Sequence, residues 1–258
     1  MVKGLYTAYS GMINEQHRMD VITNNLANSD TTGYKKEGAT SQSFDSLLAI
    51  KIKDASEPGG MPRNIGNASL GVKIGENYTD YSQGSFKVTG NTYDFAMSGD
   101  GFFNIEYTNK AGETSTKYTR DGSFVVNTEG YLVTKDGDFV LGTDNGRIQI
   151  DPTKEVSVDV LGNIRQEGAL AGRIKVTDFT DYNYLEHFGE NFYQPVEGAT
   201  EKNYTGTIRQ GYLEASNVRV VEEMVEMISV SRQYESNQRL ITTIDDSLKI
   251  ASQQLGKV

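Results

Sequence analysis

Residues 22–38 read ITNNLANSDTTGYKKEG. A helical pattern runs into this stretch, and a cluster of Asn, Ser, Asp, Thr and Gly stops it. What flanks the stop sets the fold class. Upstream, Leu5, Tyr9, Met12, Met19 and Leu26 recur at alternating four- and three-residue spacings, with Gln16 and Thr23 in the intermediate positions. That spacing predicts a helix with a heptad-like stripe. Gly11, in mid-helix, costs roughly 1 kcal/mol relative to Ala, so a close approach of another backbone is expected there.

The far end is similar. Residues 217–255 contain no Gly and no Pro, and Ser216 or Asn217 is suited to cap a helix start. Tyr234, Asn237, Ile241, Ile244, Leu248, Ala251 and Leu255 keep the three-and-four spacing, and Val221, Met224, Val225 and Ile228 mark an apolar face upstream. At 1.5 Å per residue this helix reaches on the order of 60 Å. The carboxylate pairs Glu222-Glu223 and Asp245-Asp246 read as solvated-face charges, because adjacent helical residues point in different directions.

Between the helices the period changes. FFNIEY, SFVVN, YLVT, DFVLG and RIQI are short, branched and aromatic, and are punctuated by Asp100-Gly101, Asp121-Gly122, Asp136-Gly137 and Asn145-Gly146. Such dipeptides suit tight hairpin turns, which predicts an antiparallel β body. Residues 39–80 look less regular, with Pro58, Gly59, Gly60 and Pro62 breaking any long element. The fold class expected is α+β: paired, coiled-coil-like N- and C-terminal helices with an inserted, mostly antiparallel β domain. Its parts are terminal helical segments 1–38 and 211–258, an extended connector 39–80 and a β-rich outer domain 81–210. One short and one long helix leave apolar surface over, so partner subunits are expected.

Composition narrows the function. The 258 residues carry a net charge of −10, which argues against nucleic acid and anionic membrane as partners. No stretch reaches the ~20 apolar residues of a membrane span, and the N-terminus lacks the pattern of a cleavable signal. Export, if it occurs, takes another route. With no Cys, thiolate metal sites and thiol nucleophiles are excluded, and the two histidines, His17 and His187, lie too far apart in sequence to suggest a metal cluster. TKDGDFV lacks the ligand series of a calcium loop, and no phosphate-binding, dinucleotide or hydrolase motif is present. No enzyme, cofactor or metal is expected. A carbohydrate-binding or hydrolytic β domain would use the aromatic strands but leaves the helices unexplained.

Four blocks carry a family resemblance: LYTAYSGM at 5–12 with NNLANSDTTGYKK at 24–36; DFAMSGDGFFNI at 94–105; YTRDGSF at 118–124 with NTEGYLVT at 127–134; and GYLEASNVRVVEEMVEMISVSRQYE at 211–235. In this order the chain resembles the bacterial flagellar axial proteins, and within them the basal-body rod proteins of the FlgG and FlgF type. The resemblance implies a helical polymer whose terminal helices form an inner tube, with partners that are copies of itself and other rod and hook proteins. It also implies export, unfolded, through the flagellar type III apparatus to the basal body. Hook proteins usually carry larger inserted domains, so a rod protein fits better, with the distal FlgG type slightly ahead of the proximal FlgF type.

On this reading the terminal segments are partly disordered before assembly. The residues expected to serve subunit assembly are Leu5, Gly11, Met12, Asn24, Asn25, Leu26, Asn28, Thr32, Gly33, Tyr34, Glu214, Ser216, Asn217, Val221, Met224, Ile228, Tyr234, Ile241, Ile244 and Leu248. Within them, the polar cluster releases the chain from the helix, and Tyr34, Lys35 and Lys36 start the connector and touch neighbouring subunits.

Overall fold

The computed structural model describes residues 2–44, 47–51, 63–69, 71–110, 112–189 and 191–255. The architecture is α+β, with a helix at each end and antiparallel strands between them. It divides into two compact units: Met1–Ala27, Glu37–Thr79 and Arg219–Val258 form one, and Asn28–Lys36 with Asp80–Val218 form the other. The polar stretch after the first helix thus groups with the β-rich unit.

In the first unit, helix α1 spans Val2–Ala27 and α2 spans Val220–Leu255, about 39 and 54 Å long at 1.5 Å per residue. They run antiparallel. A Cβ at Gly4 would come 3.9 Å from Ile244 Cδ1, and one at Gly11 would come 3.0 Å from Asn237 Nδ2. The Gln233 amide, with its nitrogen toward α1, donates to Glu15 at 3.1 Å, and Arg18 Nη2 meets Glu226 Oε1 at 3.0 Å. Gly11 is therefore a point of close approach, though to a side chain rather than to backbone.

The stripe α1 turns to α2 is displaced by one residue from the apolar one. Gly4, Gly11, Glu15, Arg18 and Asn25 meet α2, and Ala8 and Ile22, on the same spacing, are buried. The expected stripe through Leu5, Met12, Met19 and Leu26 is only half-buried, and its Tyr9, Gln16 and Thr23 are exposed. The physical reason is room: glycine and alanine let two helices approach, and the charged residues beside them find partners across the gap.

On α2, Tyr234, Asn237, Ile241, Ile244 and Ala251 are half-buried as the spacing predicts, while Leu248 is exposed. Upstream the buried positions are Glu223 and Val230. Glu223 is thus no solvated-face charge: it accepts from Asn25 Nδ2 at 3.3 Å, while its neighbour Glu222 is exposed and pairs with Arg219 at 2.8 Å. Nor do Ser216 and Asn217 cap α2, whose first helical bond runs from Glu223 N to Arg219 O at 3.0 Å.

Strands β1 (Glu37–Ser43), β2 (Leu47–Lys51), β3 (Arg63–Ala68) and β4 (Val72–Thr79) complete this unit. β1 pairs with β4 from Glu37↔Thr79 to Ser43↔Val72, and β2 with β3 from Leu47↔Ala68 to Lys51↔Arg63, both antiparallel. The described part of the expected irregular connector is thus a two-stranded ribbon. Its sequence hid this because β1, EGATSQS, has no apolar alternation to mark it as a strand. Pro58, Gly59, Gly60 and Pro62 lie outside the described residues. α1 holds the ribbon through Asn14 Nδ2, which donates to Ser41 Oγ at 2.9 Å, and Ser10 Oγ, which accepts from Val72 N at 3.4 Å.

The second unit continues with β5 (Phe86–Val88), β6 (Phe95–Ser98), β7 (Phe102–Thr108), β8 (Thr114–Thr119), β9 (Phe124–Val126), β10 (Leu132–Thr134) and β11 (Phe139–Val140). β12 (Val156–Val158), β13 (Asn163–Gln166), β14 (Ala169–Arg173), β15 (Val176–Phe179) and β16 (Leu185–Phe188) follow. β17 (Phe192–Pro195), β18 (Glu201–Asn203), β19 (Thr207–Gln210) and β20 (Tyr212–Glu214) close it.

The largest sheet runs β16-β17-β8-β7-β11-β10-β9, with β15 joined to β7 and β18. β7 is its centre. Successive residues of a strand point to opposite faces, so Phe103 and Ile105 enter one core with Phe95, Leu132, Ile150, Ile164 and Ile208, and Phe102 enters another with Tyr118, Phe179, Leu185 and Tyr193. Each fully buried aromatic contributes about 1.5–3 kcal/mol of transfer free energy.

Two of the four expected hairpins are present. Asp136-Gly137, with Gly137 at φ 97°, joins the paired β10 and β11, and Asn145-Gly146, with Asn145 at φ 57°, closes the Leu141↔Arg147 bridge. Asp100-Gly101 and Asp121-Gly122 instead turn corners between strands that do not pair with each other. At Gly122 a Cβ would fall 1.7 Å from Phe95 O, so there the glycine provides room for a crossing backbone.

Candidate assembly surfaces

Two surfaces use the predicted residues, in opposite ways. The first is a buried clasp in the β-rich unit. Glu214, on β20, reaches Lys35 Nζ at 2.6 Å and Arg120 Nη1 at 3.3 Å, and all three side chains are 1% exposed. Gly84 N donates to the same carboxylate at 3.0 Å, Lys35 Nζ also donates to Ser82 O at 2.8 Å, and Arg120 Nη1 to Gly99 O at 2.9 Å. Two cations share one carboxylate. Burial holds the Lys35 ammonium below its ordinary value; the nearby Arg120 adds to the fall, and Glu214 opposes it.

Around this triad the stretch 28–36 is pinned along its length. Thr31 N and Thr31 Oγ1 both donate to Asn28, to its carbonyl and to its side-chain oxygen, at 3.2 Å each. Thr32 Oγ1 donates to Asp121 Oδ1 at 2.8 Å, Thr32 O accepts from Asn191 Nδ2 at 2.7 Å, and Gly33 N donates to Glu214 O at 2.8 Å. Asn217 Oδ1 accepts from Lys36 N at 2.7 Å while its Nδ2 donates to Asp80 O at 2.8 Å, and Ser216 Oγ accepts from Val218 N at 3.2 Å. Thr32, Gly33, Tyr34, Lys35, Glu214 and Asn217 are therefore engaged within the chain, and Tyr34 and Lys35, expected to touch neighbours, are buried. Asn25 is likewise buried in the helical unit, donating to Glu37 O at 2.7 Å and accepting from Glu37 N at 2.9 Å. Asn24 is exposed on the last turn of α1.

Arg120, Asp121, Asn191 and Glu223 belong to these networks but were not among the predicted residues. YTRDGSF carries two of them, and its Asp-Gly reads as a turn. A buried ion pair leaves no periodic signal.

The second surface is open. On α2, Val221, Val225 and Ile228 are 74%, 63% and 54% exposed, and Met224 is exposed beside them. A shallow groove of about 400 Å³ continues this face, lined by Val225, Ile228, Ser229, Arg232, Gln233 and Ser236. On α1, Tyr6, Tyr9 and Ile13 are exposed next to half-buried Leu5 and Met12. Apolar side chains in such rows mark contact surfaces for other macromolecules. Among the described residues no cluster of three or more His, Cys, Asp or Glu is placed to hold a metal.

Long terminal helices with unpartnered apolar faces, flanking a β unit held by a buried clasp, define a structural assembly protein. Comparison with known proteins gives the kind. Residues 5–35 match the model of flagella basal body rod proteins, residues 96–166 that of the flagellar hook protein FlgE/F/G D1 domain, and residues 209–254 that of the flagellar basal body rod FlgEFG protein C-terminal. The flagellar basal-body rod protein FlgG of Bacillus subtilis is 34% identical over 271 residues, covering 96% of this chain and 97% of that protein. The rod protein FlgF of Caulobacter vibrioides is 34% identical over 260 residues, covering 100% of both chains. FlgG of Buchnera aphidicola from Acyrthosiphon pisum is 32% identical over 266 residues, covering 98% and 100%. The chain belongs to the flagellar basal-body rod protein family, whose members are structural components of the basal body and not enzymes.

Proposed function

We propose that this chain is a rod subunit that polymerises into a helical tube and transmits torque from motor to hook. The observation that carries the reading is the apolar face Val221, Met224, Val225 and Ile228, left outside the α1–α2 contact. Repeated identical contacts that do not close on themselves generate filaments, and the paired helices, packed in a coiled-coil-like manner, supply stiffness. Partners are copies of the chain and other rod and hook proteins, reached by export through the flagellar type III apparatus. Before assembly the terminal helices are partly disordered because their apolar faces lack partners; full helicity of a dilute monomer by circular dichroism would count against this.

Sedimentation and electron microscopy of the full chain against Val225→Asp/Ile228→Asp test the polymer. Concentration-dependent tubes or protofilaments from the native chain, absent in the variant, support it; compact monomers at high concentration overturn it.

Recurrent FlgG relatives favour the distal position, and the end-to-end match to a FlgF keeps the proximal one as the second reading. Rescue of motility in a strain lacking its FlgG but not in one lacking its FlgF decides for the distal rod, and the reverse for the proximal. Accumulation inside cells whose flagellar export apparatus is disabled tests the route.

A further inference from the structure

The open groove on α2 has a definite chemistry. Val225 and Ile228 give it an aliphatic floor, Arg232 offers a guanidinium, and Ser229 and Ser236 offer hydroxyls, while Gln233, whose amide nitrogen is engaged with Glu15, completes the lining. An aromatic ring with a polar tip satisfies all three: the ring covers the aliphatic floor, its face meets the guanidinium, and its hydroxyl meets the serines. That describes tyrosine. This chain exposes two on α1, Tyr6 at 63% and Tyr9 at 53%, with exposed Ile13 one turn beyond Tyr9.

The knob and the groove cannot meet within one chain. Glu15 stands beside Gln233 in the antiparallel pair, so Ser229, four residues earlier on α2, is level with about residue 19. Tyr9 is ten residues away from that level, about 15 Å along the helix at 1.5 Å per residue. Charge points the same way: residues 219–235 carry four carboxylates against two arginines, whereas residues 2–13 carry a lysine and no acid.

We propose that Tyr9, flanked by Tyr6 and Ile13, docks into the Val225–Ser236 groove of a second copy of this chain. The contact joins two different patches, so each copy offers both a free knob and a free groove, and the chain of contacts stays open. The inference rests on the self-assembly reading and names the contact that drives it.

The absence of native cysteine makes the test direct. Full-length Tyr9→Cys chain is mixed with full-length Ser229→Cys chain of distinguishable size and oxidised under polymerising conditions; a disulfide needs Cα atoms within about 7 Å. The expected result is a mixed disulfide at least tenfold above that of Tyr9→Cys with Thr116→Cys, on the exposed start of β8. Pelletable polymers without that excess overturn the inference and leave self-assembly standing. Absence of both polymer and disulfide overturns both. As an independent measure, Tyr9→Asp should raise the critical concentration for assembly about tenfold or more and Tyr9→Phe less than threefold; equal behaviour of Tyr9→Asp and native chain overturns the contact.

Discussion

The Lys35 ammonium lies 2.6 Å from the Glu214 carboxylate, and neither side chain is more than 1% exposed. The pair joins a residue from the polar stretch after α1 to one from β20, 179 positions later. With Arg120 at 3.3 Å on the other oxygen, the carboxylate is what makes two buried cations tolerable. Glu214→Gln should therefore destabilise the protein by about 3–5 kcal/mol, the range for breaking a buried pair. Denaturant unfolding followed by near-ultraviolet circular dichroism reads this; a loss below 1 kcal/mol would show that the clasp is not under electrostatic control.

The same triad sets a pH dependence. Burial lowers the Lys35 pKa below 10.5, against the pull of Glu214. Between the lowered value and 10.5 the unfolded chain binds more protons than the folded one, so this residue makes stability rise with pH across that window. Lys35→Met should flatten the rise. Parallel pH profiles for variant and native protein would sink the assignment.

From the upper end of that window onward the tyrosines act in the other direction. Burial pushes the Tyr204 phenol up to about 12, and burial with a bond to Glu201 or Asp178 raises Tyr118 and Tyr182 further. A raised acid stabilises fully below its unfolded value near 10.0 and loses that contribution as pH climbs through the folded value. Alkaline unfolding monitored by tyrosinate absorbance should be shallower in Tyr118→Phe than in the native chain.

Gly33 cannot carry a side chain. Its φ is 71°, and a Cβ would stand 2.4 Å from Asp121 N and 2.5 Å from Arg120 C, backbone atoms with nowhere to go. The left-handed conformation alone costs roughly 1–2 kcal/mol outside glycine, so Gly33→Ala should lose more than about 2 kcal/mol by thermal or denaturant unfolding. An unchanged midpoint would mean that the turn has another accessible geometry.

Asn25→Ala should cost about 1–3 kcal/mol, because the buried amide serves both backbone groups of Glu37 and leaves them unsatisfied when removed. Hydrogen exchange at the Glu37 amide should rise with it. Protection equal to that of the native chain would refute the role.

The sequence by itself determined the helices at both ends, because a three-and-four apolar spacing belongs to the helix period, and the strand-rich middle, because short branched and aromatic runs between Asp-Gly and Asn-Gly turns fit a pleated sheet. It also carried the family, through ordered blocks that span the chain. The tertiary structure alone decided which helical face is buried. Small and charged residues at Gly4, Gly11, Glu15 and Arg18 win the α1–α2 contact over Leu5, Tyr9 and Met12 because they admit close approach and find partners across it. The β1–β4 ribbon and the Lys35–Glu214–Arg120 clasp were hidden for a related reason. A polar strand such as β1 shows no apolar alternation, and a buried charge becomes recognisable only when folding brings its partner, distant in sequence, within hydrogen-bonding reach.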